Sequence, residues 1–235
     1  MLLAEPEPEG GTLQAELRGD AEVKDVSLVY GEKNVLKNVS FLVPAGSRTA
    51  IIGPTGAGKS QLLYLLTALG RPGQGEVLFD GRPIAEYDPV SLHAQVAFVF
   101  QDSVVFNMTI RENIAFSPDA TDESLQKAVR AAELQDFVAS LPDGLDTVIS
   151  ERGGNVSGGQ KQRIMLARAL ALEPKVLLLD DFTARVDTTT EQKILANVAR
   201  EYPGLTLISV TQKISSVENY DQIVLLMEGE VLAKG

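Results

Sequence analysis

The segment Gly53-Pro-Thr-Gly-Ala-Gly-Lys-Ser60 combines three glycines, a lysine and a hydroxyl in an order that suits one task, holding a polyphosphate. Glycines let the backbone turn tightly and aim its N–H groups at phosphate oxygens. The lysine closing such a loop, Lys59, reaches the β- and γ-phosphates, and the hydroxyl after it, Ser60, ligates Mg²⁺. Val176-Leu-Leu-Leu-Asp180 supplies the complement: four apolar residues read as a buried strand whose terminal carboxylate faces the Mg²⁺. About a hundred residues beyond the loop stands Asn155-Val-Ser-Gly-Gly-Gln160. There Ser157 is placed to cap a helix, and the glycine N–H groups to meet an anion at its positive end.

These residues need strands and helices behind them. Residues 48–52 read as a short buried strand running into the glycine loop, and 59–69, rich in Leu, as the helix leaving it. Ahead of them, 23–30 and 35–43 are strand-like, separated by Gly31-Glu-Lys-Asn34 as a turn, and 75–81 is a further strand bounded by glycines. From 109 to 141 the pattern is helical, with capping residues at Thr121 and Ser124 and a stop at Pro142-Asp-Gly144. A second strong helix is predicted over 157–172. Strand 176–180, helix 188–202, strand 205–210, strand 223–226 and a hairpin through Glu228-Gly229 complete the chain. Strands alternating with helices predict an α/β fold with a mainly parallel sheet.

Composition narrows the function classes. The 235 residues are 44% hydrophobic and 23% charged, ordinary for a folded chain of one α/β domain with an inserted lobe, or of two small domains. Twenty-one Lys and Arg against 32 Asp and Glu leave a formal charge of −11, which speaks against a nucleic-acid backbone binder. Without cysteine, disulfides, thiolate metal sites and cysteine nucleophiles are excluded. Apolar runs are of strand length only, short of the roughly 18–20 residues of a membrane span. The acidic opening, 1–11, reads as a linker and not as a signal peptide.

A phosphate loop followed at this distance by Ser157-Gly158-Gly159-Gln160 at a helix start resembles the ATP-binding cassette (ABC) ATPases, and the resemblance extends over about 23–234. It implies a P-loop NTPase (RecA-like) core with a mainly parallel sheet, an antiparallel β subdomain and an inserted α-helical subdomain at about 102–165. The first 20 residues would then be a linker from a transmembrane domain and 21–235 the nucleotide-binding domain. ATP would be held by Tyr30, which matches the aromatic that stacks on adenine, and by Gly53, Pro54, Thr55, Gly56, Ala57, Gly58, Lys59, Ser60 and Gln61. Ser60, Asp180 and Gln101 match the Mg²⁺ ligands. Family members bind two ATPs between head-to-tail cassettes, so Ser157, Gly158, Gly159 and Gln160 would serve a partner's ATP, and Asp187 matches an aspartate at the dimer centre. Phe106-Asn-Met-Thr-Ile-Arg-Glu-Asn-Ile114 and Glu151-Arg-Gly-Gly154 resemble exporter segments that face transmembrane domains. The implied location is the cytoplasmic face of a membrane, bacterial inner membrane foremost, with attachment through transmembrane domains that this chain lacks. The last residues, Lys234-Gly235, stop where family members usually continue.

Two positions depart from the family. Its general base is a glutamate after the Mg²⁺ aspartate, and here Asp181 stands there. A histidine that contacts the γ-phosphate is replaced by Gln212. The single histidine, His93, lies in a helical stretch far from this strand and reads as structural. Catalytic candidates are therefore Asp181, Gln212 and Gln101, with weak hydrolysis expected. The resemblance implies a degenerate half of an exporter heterodimer that pairs with a competent second cassette. A homodimeric exporter using Asp181 as a weak base, a cassette ATPase without a transport role, and a nucleotide kinase remain as alternatives.

Overall fold

A computed structural model describes residues 10–102, 104–118, 120–150, 153–213, 217 and 220–235, with the side chain of Thr183 excepted. Glu151 and Arg152 of the segments singled out above lie outside the described residues.

The strongest apolar run makes an interior strand of the larger sheet. β7 (Val176–Asp180) is buried at every residue, and its side chains alternate between two cores. Leu177 and Leu179 enter one, Val176 and Leu178 the other, as the two-residue period of a strand covered on both faces demands. β7 lies between β6 (Val96–Val99) and β8 (Thr206–Thr211), with β3 (Arg48–Ile52) and β9 (Gln222–Met227) following in parallel and β10 (Glu230–Lys234) closing the edge antiparallel. The mainly parallel sheet is thus present with six strands, ordered β10-β9-β3-β8-β7-β6.

One core lies between this sheet, α1 (Lys59–Leu66) and a second, antiparallel sheet. The second sheet is ordered β2-β1-β4-β5, from β1 (Ala21–Tyr30), β2 (Lys33–Val43), β4 (Gln74–Phe79) and β5 (Arg82–Pro83). Beside it α2 (Pro89–His93) places the His93 Nε2 2.9 Å from the Thr67 carbonyl oxygen, a backbone contact. The other core packs α3 (Ile110–Ile114), α4 (Asp122–Ala131), α6 (Gly158–Leu170) and α7 (Thr188–Glu201) against the opposite face. α5 (Gln135–Ala139) follows α4, so the helical stretch predicted over 109–141 is three short helices. Residues ahead of β1 run extended: Leu13 bridges to Tyr87, and the Leu17 N–H donates to Gln95 Oε1 at 2.8 Å.

Two predicted boundaries move for local reasons. α1 stops at Leu66, short of 69, because the Thr67 hydroxyl donates back to the Tyr64 carbonyl at 3.0 Å and Ala68 takes a left-handed φ of 56°. The four-residue turn expected at 31–34 is a two-residue turn, Gly31-Glu32, with Lys33 and Asn34 already in β2. Gly31 has φ 61°, the positive value required at the first central position of a type II′ hairpin turn.

Candidate functional site

Parallel strands bring their C-terminal ends to one edge of a sheet, where ligands bind in α/β folds. Here β3 runs out into Gly53, β6 is followed by Gln101, β7 ends on Asp180, and β8 leads into Gln212. The result is an open cleft of about 460 Å³ lined by Tyr30, Lys33, Val35, Thr55, Gly56, Gly58, Lys59, Ser60, Gln61, Gln101, Asp180, Asp181, Val210 and Gln212. That volume lies within the range of small-molecule sites, roughly 300–1,000 Å³. A larger depression, about 630 Å³, lies along β10, where Lys37 and Glu230 pair with each other at 3.5 Å.

Of the sequence-nominated residues, Tyr30, Thr55, Gly56, Gly58, Lys59, Ser60, Gln61, Gln101, Asp180, Asp181 and Gln212 meet in this cleft. Gly53, Pro54 and Ala57 complete the loop behind it. The Lys59 ammonium donates to the carbonyls of Gly53 at 2.8 Å and Pro54 at 2.9 Å, and the Ala57 N–H donates to Pro54 O at 3.2 Å. Burial pushes the Lys59 pKa down, and the charges of Asp181 and Asp180 oppose that. Asp180 is 5% exposed and accepts the Ser60 hydroxyl at 3.1 Å. Its pKa is pushed up, first by burial and further by Asp181, while the Ser60 hydrogen bond and Lys59 pull it down. Tyr30 is 78% exposed, so its ring is free of the core and faces the cleft mouth.

The donor set tests the fit for magnesium. Ser60 hydroxyl, Asp180 carboxylate and Gln101 amide oxygen are hard oxygen donors, few in number, as suits an ion that keeps waters and takes phosphate oxygens. Among the described residues no group of three or more His, Cys, Asp or Glu could hold a metal unaided, so the phosphates would have to complete the shell. The residues present fit Mg²⁺ bound together with a nucleotide.

Asp181 follows β7 with φ 46°, a left-handed conformation that costs a non-glycine residue of order 1–3 kcal/mol unless its surroundings over-determine it. Those surroundings are visible. Its N–H donates to Val210 O at 3.0 Å, tying it to β8, and its carbonyl accepts the Ala184 N–H at 3.1 Å, opening the 3-10 turn Phe182–Arg185.

The remaining nominated residues lie outside the cleft. Ser157 caps α6 in a reciprocal box: its Oγ accepts the Gln160 N–H at 3.2 Å, and its own N–H donates to Gln160 Oε1 at 2.7 Å. Gly158 and Gly159 form the first turn, where a Cβ on Gly159 would stand 2.9 Å from the Arg185 carbonyl oxygen. Asp187 caps α7 by accepting the Thr190 N–H at 2.9 Å, and hydrogen bonding to Thr190 holds its carboxyl below the usual range.

Lys33, Val35 and Val210 line the cleft without having been nominated from sequence. The signal that would have exposed the first two is the length of the hairpin turn. A two-residue turn puts Lys33 directly opposite Tyr30, and Val35, the unpaired residue of a bulge between Asn34 and Leu36, lines the same cleft.

A phosphate loop, a strand-end carboxylate and a capped Ser-Gly-Gly-Gln helix on this fold define an ATP-binding cassette, and residues 36–184 match the family model for the ABC transporter. The chain belongs to the ABC transporter family and has the fold of its nucleotide-binding domains. It is 38% identical over 238 residues to an ATP-dependent lipid A-core flippase of Burkholderia orbicola, covering 100% of this chain and 40% of that protein. An ATM1-type heavy metal exporter of Novosphingobium aromaticivorans is 41% identical over 213 residues, covering 89% of this chain and 35% of the relative. A solved bacterial Atm1-family ABC exporter with ATP bound matches with a TM-score of 0.91 and 38% identity, over 99% of this chain and 41% of that one. The chain thus spans about 40% of the length of the relatives it matches. No described helix is long and apolar enough to cross a membrane.

Proposed function

We propose that this chain is the ATP-binding domain of a membrane exporter, binding Mg-ATP in the cleft and pairing head-to-tail with a second, catalytically competent nucleotide-binding domain. Tyr30 stacks on adenine, the Gly53–Ser60 loop wraps the phosphates, and Ser60, Asp180 and Gln101 hold the ion. Transmembrane domains carry the cargo, and the cassette works at the cytoplasmic face of their membrane. Support for the exporter role comes from the relatives, which are a flippase and a heavy metal exporter.

Its own site hydrolyses slowly. The observation that carries this reading is that Asp181 and Gln212 line the same cleft as Lys59, Ser60, Gln101 and Asp180. Both departures therefore stand where the γ-phosphate would be handled. Asp181 is one methylene shorter than glutamate, and a shortfall of roughly 1 Å can cost about 10²-fold in rate. Gln212 keeps a donor but cannot become a cation, and losing one transition-state donor costs about 10²- to 10³-fold. The two losses act on one site and do not multiply. Meanwhile Ser157–Gln160 keep a complete helix cap, fit to serve the partner's ATP.

ATP affinity and hydrolysis by the purified chain, beside the double variant Asp181→Glu/Gln212→His, test the reading. Mg-ATP binding with negligible turnover, rising by about 10²-fold or more in the double variant, is the expected result. Brisk turnover by the unmodified chain would overturn the degenerate site and leave a self-sufficient exporter ATPase.

A further inference from the structure

We propose that Lys213 is a positioning residue for nucleotide hydrolysis: its ammonium is anchored on the Val186 carbonyl and thereby holds Gln212 in place in the cleft. The proposal rests on the reading of the cleft as an ATP site. β7 and β8 pair in parallel as far as Asp180 and Val210, and the Asp181 N–H adds one more bond, to Val210 O at 3.0 Å. Beyond that bond two segments run on, one through the 3-10 turn Phe182–Arg185 to Asp187, the other from Thr211 to Lys213. Gln212 stands on the second and lines the cleft. With β8 ended at Thr211, no strand pairing sets the direction of the Gln212 side chain.

Two contacts of Lys213 set it instead. Its N–H donates to Thr211 Oγ1 at 3.1 Å, a local turn that folds the backbone around Gln212. Thr211 is buried, so the base of this turn is fixed. The Lys213 ammonium donates to Val186 O at 3.3 Å, joining residues 27 apart. Val186 is itself held on both sides: its side chain is buried in the core of the helical side, and the next residue, Asp187, caps α7. Gln212 therefore lies between a buried threonine and a lysine tied to rigid ground. A lysine suits this place, because its long stem reaches across and its charge strengthens a hydrogen bond to a carbonyl oxygen.

Lys213 does not line the cleft, so its influence passes through Gln212 and not through the nucleotide. Gln212 is the donor that the β8 segment offers at the γ-phosphate, and a donor works only when aimed. A misplacement of about 1 Å can cost about 10²-fold in rate, so loosening one of two anchors predicts a loss of about tenfold. The phosphate loop and the oxygen donors for magnesium make no use of Lys213. Lys213 thus sets how fast the site turns over and leaves how tightly it holds Mg-ATP unchanged.

Single-turnover release of phosphate from radiolabelled Mg-ATP, followed over hours, and titration calorimetry with the whole chain test this. The variants are Lys213→Met, which keeps the stem and removes the donors, and Lys213→Arg, each made also in a Gln212→Ala chain. Release about tenfold slower in Lys213→Met, with Mg-ATP affinity within about twofold of wild type, is the expected result. Lys213→Arg should stay within about threefold, since a guanidinium also donates to a carbonyl. In the Gln212→Ala chain, Lys213→Met should slow release no further, because the group it positions is gone. An unchanged rate in Lys213→Met, a loss expressed in affinity, or an equal loss in the Gln212→Ala chain would overturn the proposal, the last by showing a lysine that is structural only. Should the wild-type chain release no phosphate, the same comparison is made between Asp181→Glu/Gln212→His and Asp181→Glu/Gln212→Ala. Mg-ATP bound by the wild-type chain and by Asp181→Glu/Gln212→His but hydrolysed by neither would also overturn it, whereas failure to bind Mg-ATP at all would sink the ATP-site reading and Lys213 with it.

Discussion

An aromatic ring left 78% exposed at a cleft mouth contributes little to folding, so its removal isolates its ligand role. Tyr30 is such a ring. Base–aromatic stacking is worth about 1–3 kcal/mol per base by alanine substitution. Tyr30→Ala is accordingly expected to weaken Mg-ATP binding by about tenfold, and Tyr30→Phe to preserve it, with no change in melting temperature for either. Affinity unaltered in Tyr30→Ala would show that the base lies elsewhere. Gly159 has the opposite character: the carbonyl oxygen of Arg185 occupies the space beside it, and a backbone atom cannot swing aside as a side chain can. Gly159→Ala should therefore shift the start of α6 against the 3-10 turn Phe182–Arg185 and leave the cleft residues in place. The expected outcome is Mg-ATP affinity like wild type in the isolated chain, with stability lower by about 1–3 kcal/mol in urea unfolding. A variant that loses nucleotide binding would place the signature and the cleft in one cooperative unit.

Elements meet through groups distant in sequence. The Arg168 guanidinium on α6 lies 5.2 Å from the Phe106 ring centre and 5.3 Å from that of Phe116, and those two rings are themselves stacked at 5.2 Å. Its Nε donates to Asn113 O at 2.6 Å, one Nη to Asn113 Oδ1 at 3.0 Å and the other to Val104 O at 3.2 Å. Burial pushes its pKa down, and its partners are carbonyl oxygens and rings. A planar fork serves all these contacts at once, and an ammonium serves one or two. Arg168→Lys should lower stability by about 2 kcal/mol and speed amide exchange over 104–116, the stretch between β6 and α4. Equal exchange in the two proteins would refute the strut. Nothing in the local sequence around Phe106 foretells this, because the contacts join residues some 55–64 apart. By contrast β3 and β7 were legible to the residue. β7 is a continuous apolar run closed by a carboxylate, and β3, buried over Thr49–Ile51, runs straight into the glycine loop. The cleft divides in the same way. Residues that follow strand ends could be read from motifs, whereas Lys33 could not, since its place depends on a turn two residues shorter than the one inferred from Gly31-Glu-Lys-Asn34.

At the scale of the molecule, the helical side is joined to the sheet by one continuous apolar core that includes Leu125 of α4, Ile164 of α6, Leu177 of β7 and Val198 of α7. Polar links ring its edge, where Lys127 of α4 pairs with Glu173 at 2.6 Å and Arg130 with Glu201 at 3.1 Å. Tyr202, just after α7, closes that seam. The Lys127 ammonium lies 4.3 Å from its ring centre, yet its buried hydroxyl has no hydrogen-bond partner among the described residues. An unsatisfied buried hydroxyl costs about 1–3 kcal/mol, so Tyr202→Phe should leave stability at pH 8 unchanged or raise it by about 1 kcal/mol. The pH dependence carries a sharper expectation. Burial, with the charges of Glu173 and Glu201, raises the Tyr202 pKa above the value of about 10 for an unfolded tyrosine. Above that pH the unfolded chain releases a proton that the native state retains, so the native state binds more protons and stability falls as pH rises. Phenylalanine has no proton to release. Urea unfolding at pH 8 and about pH 10.5 should therefore show a smaller alkaline loss in Tyr202→Phe than in wild type, and an identical loss would mean that the hydroxyl reaches water in the folded protein.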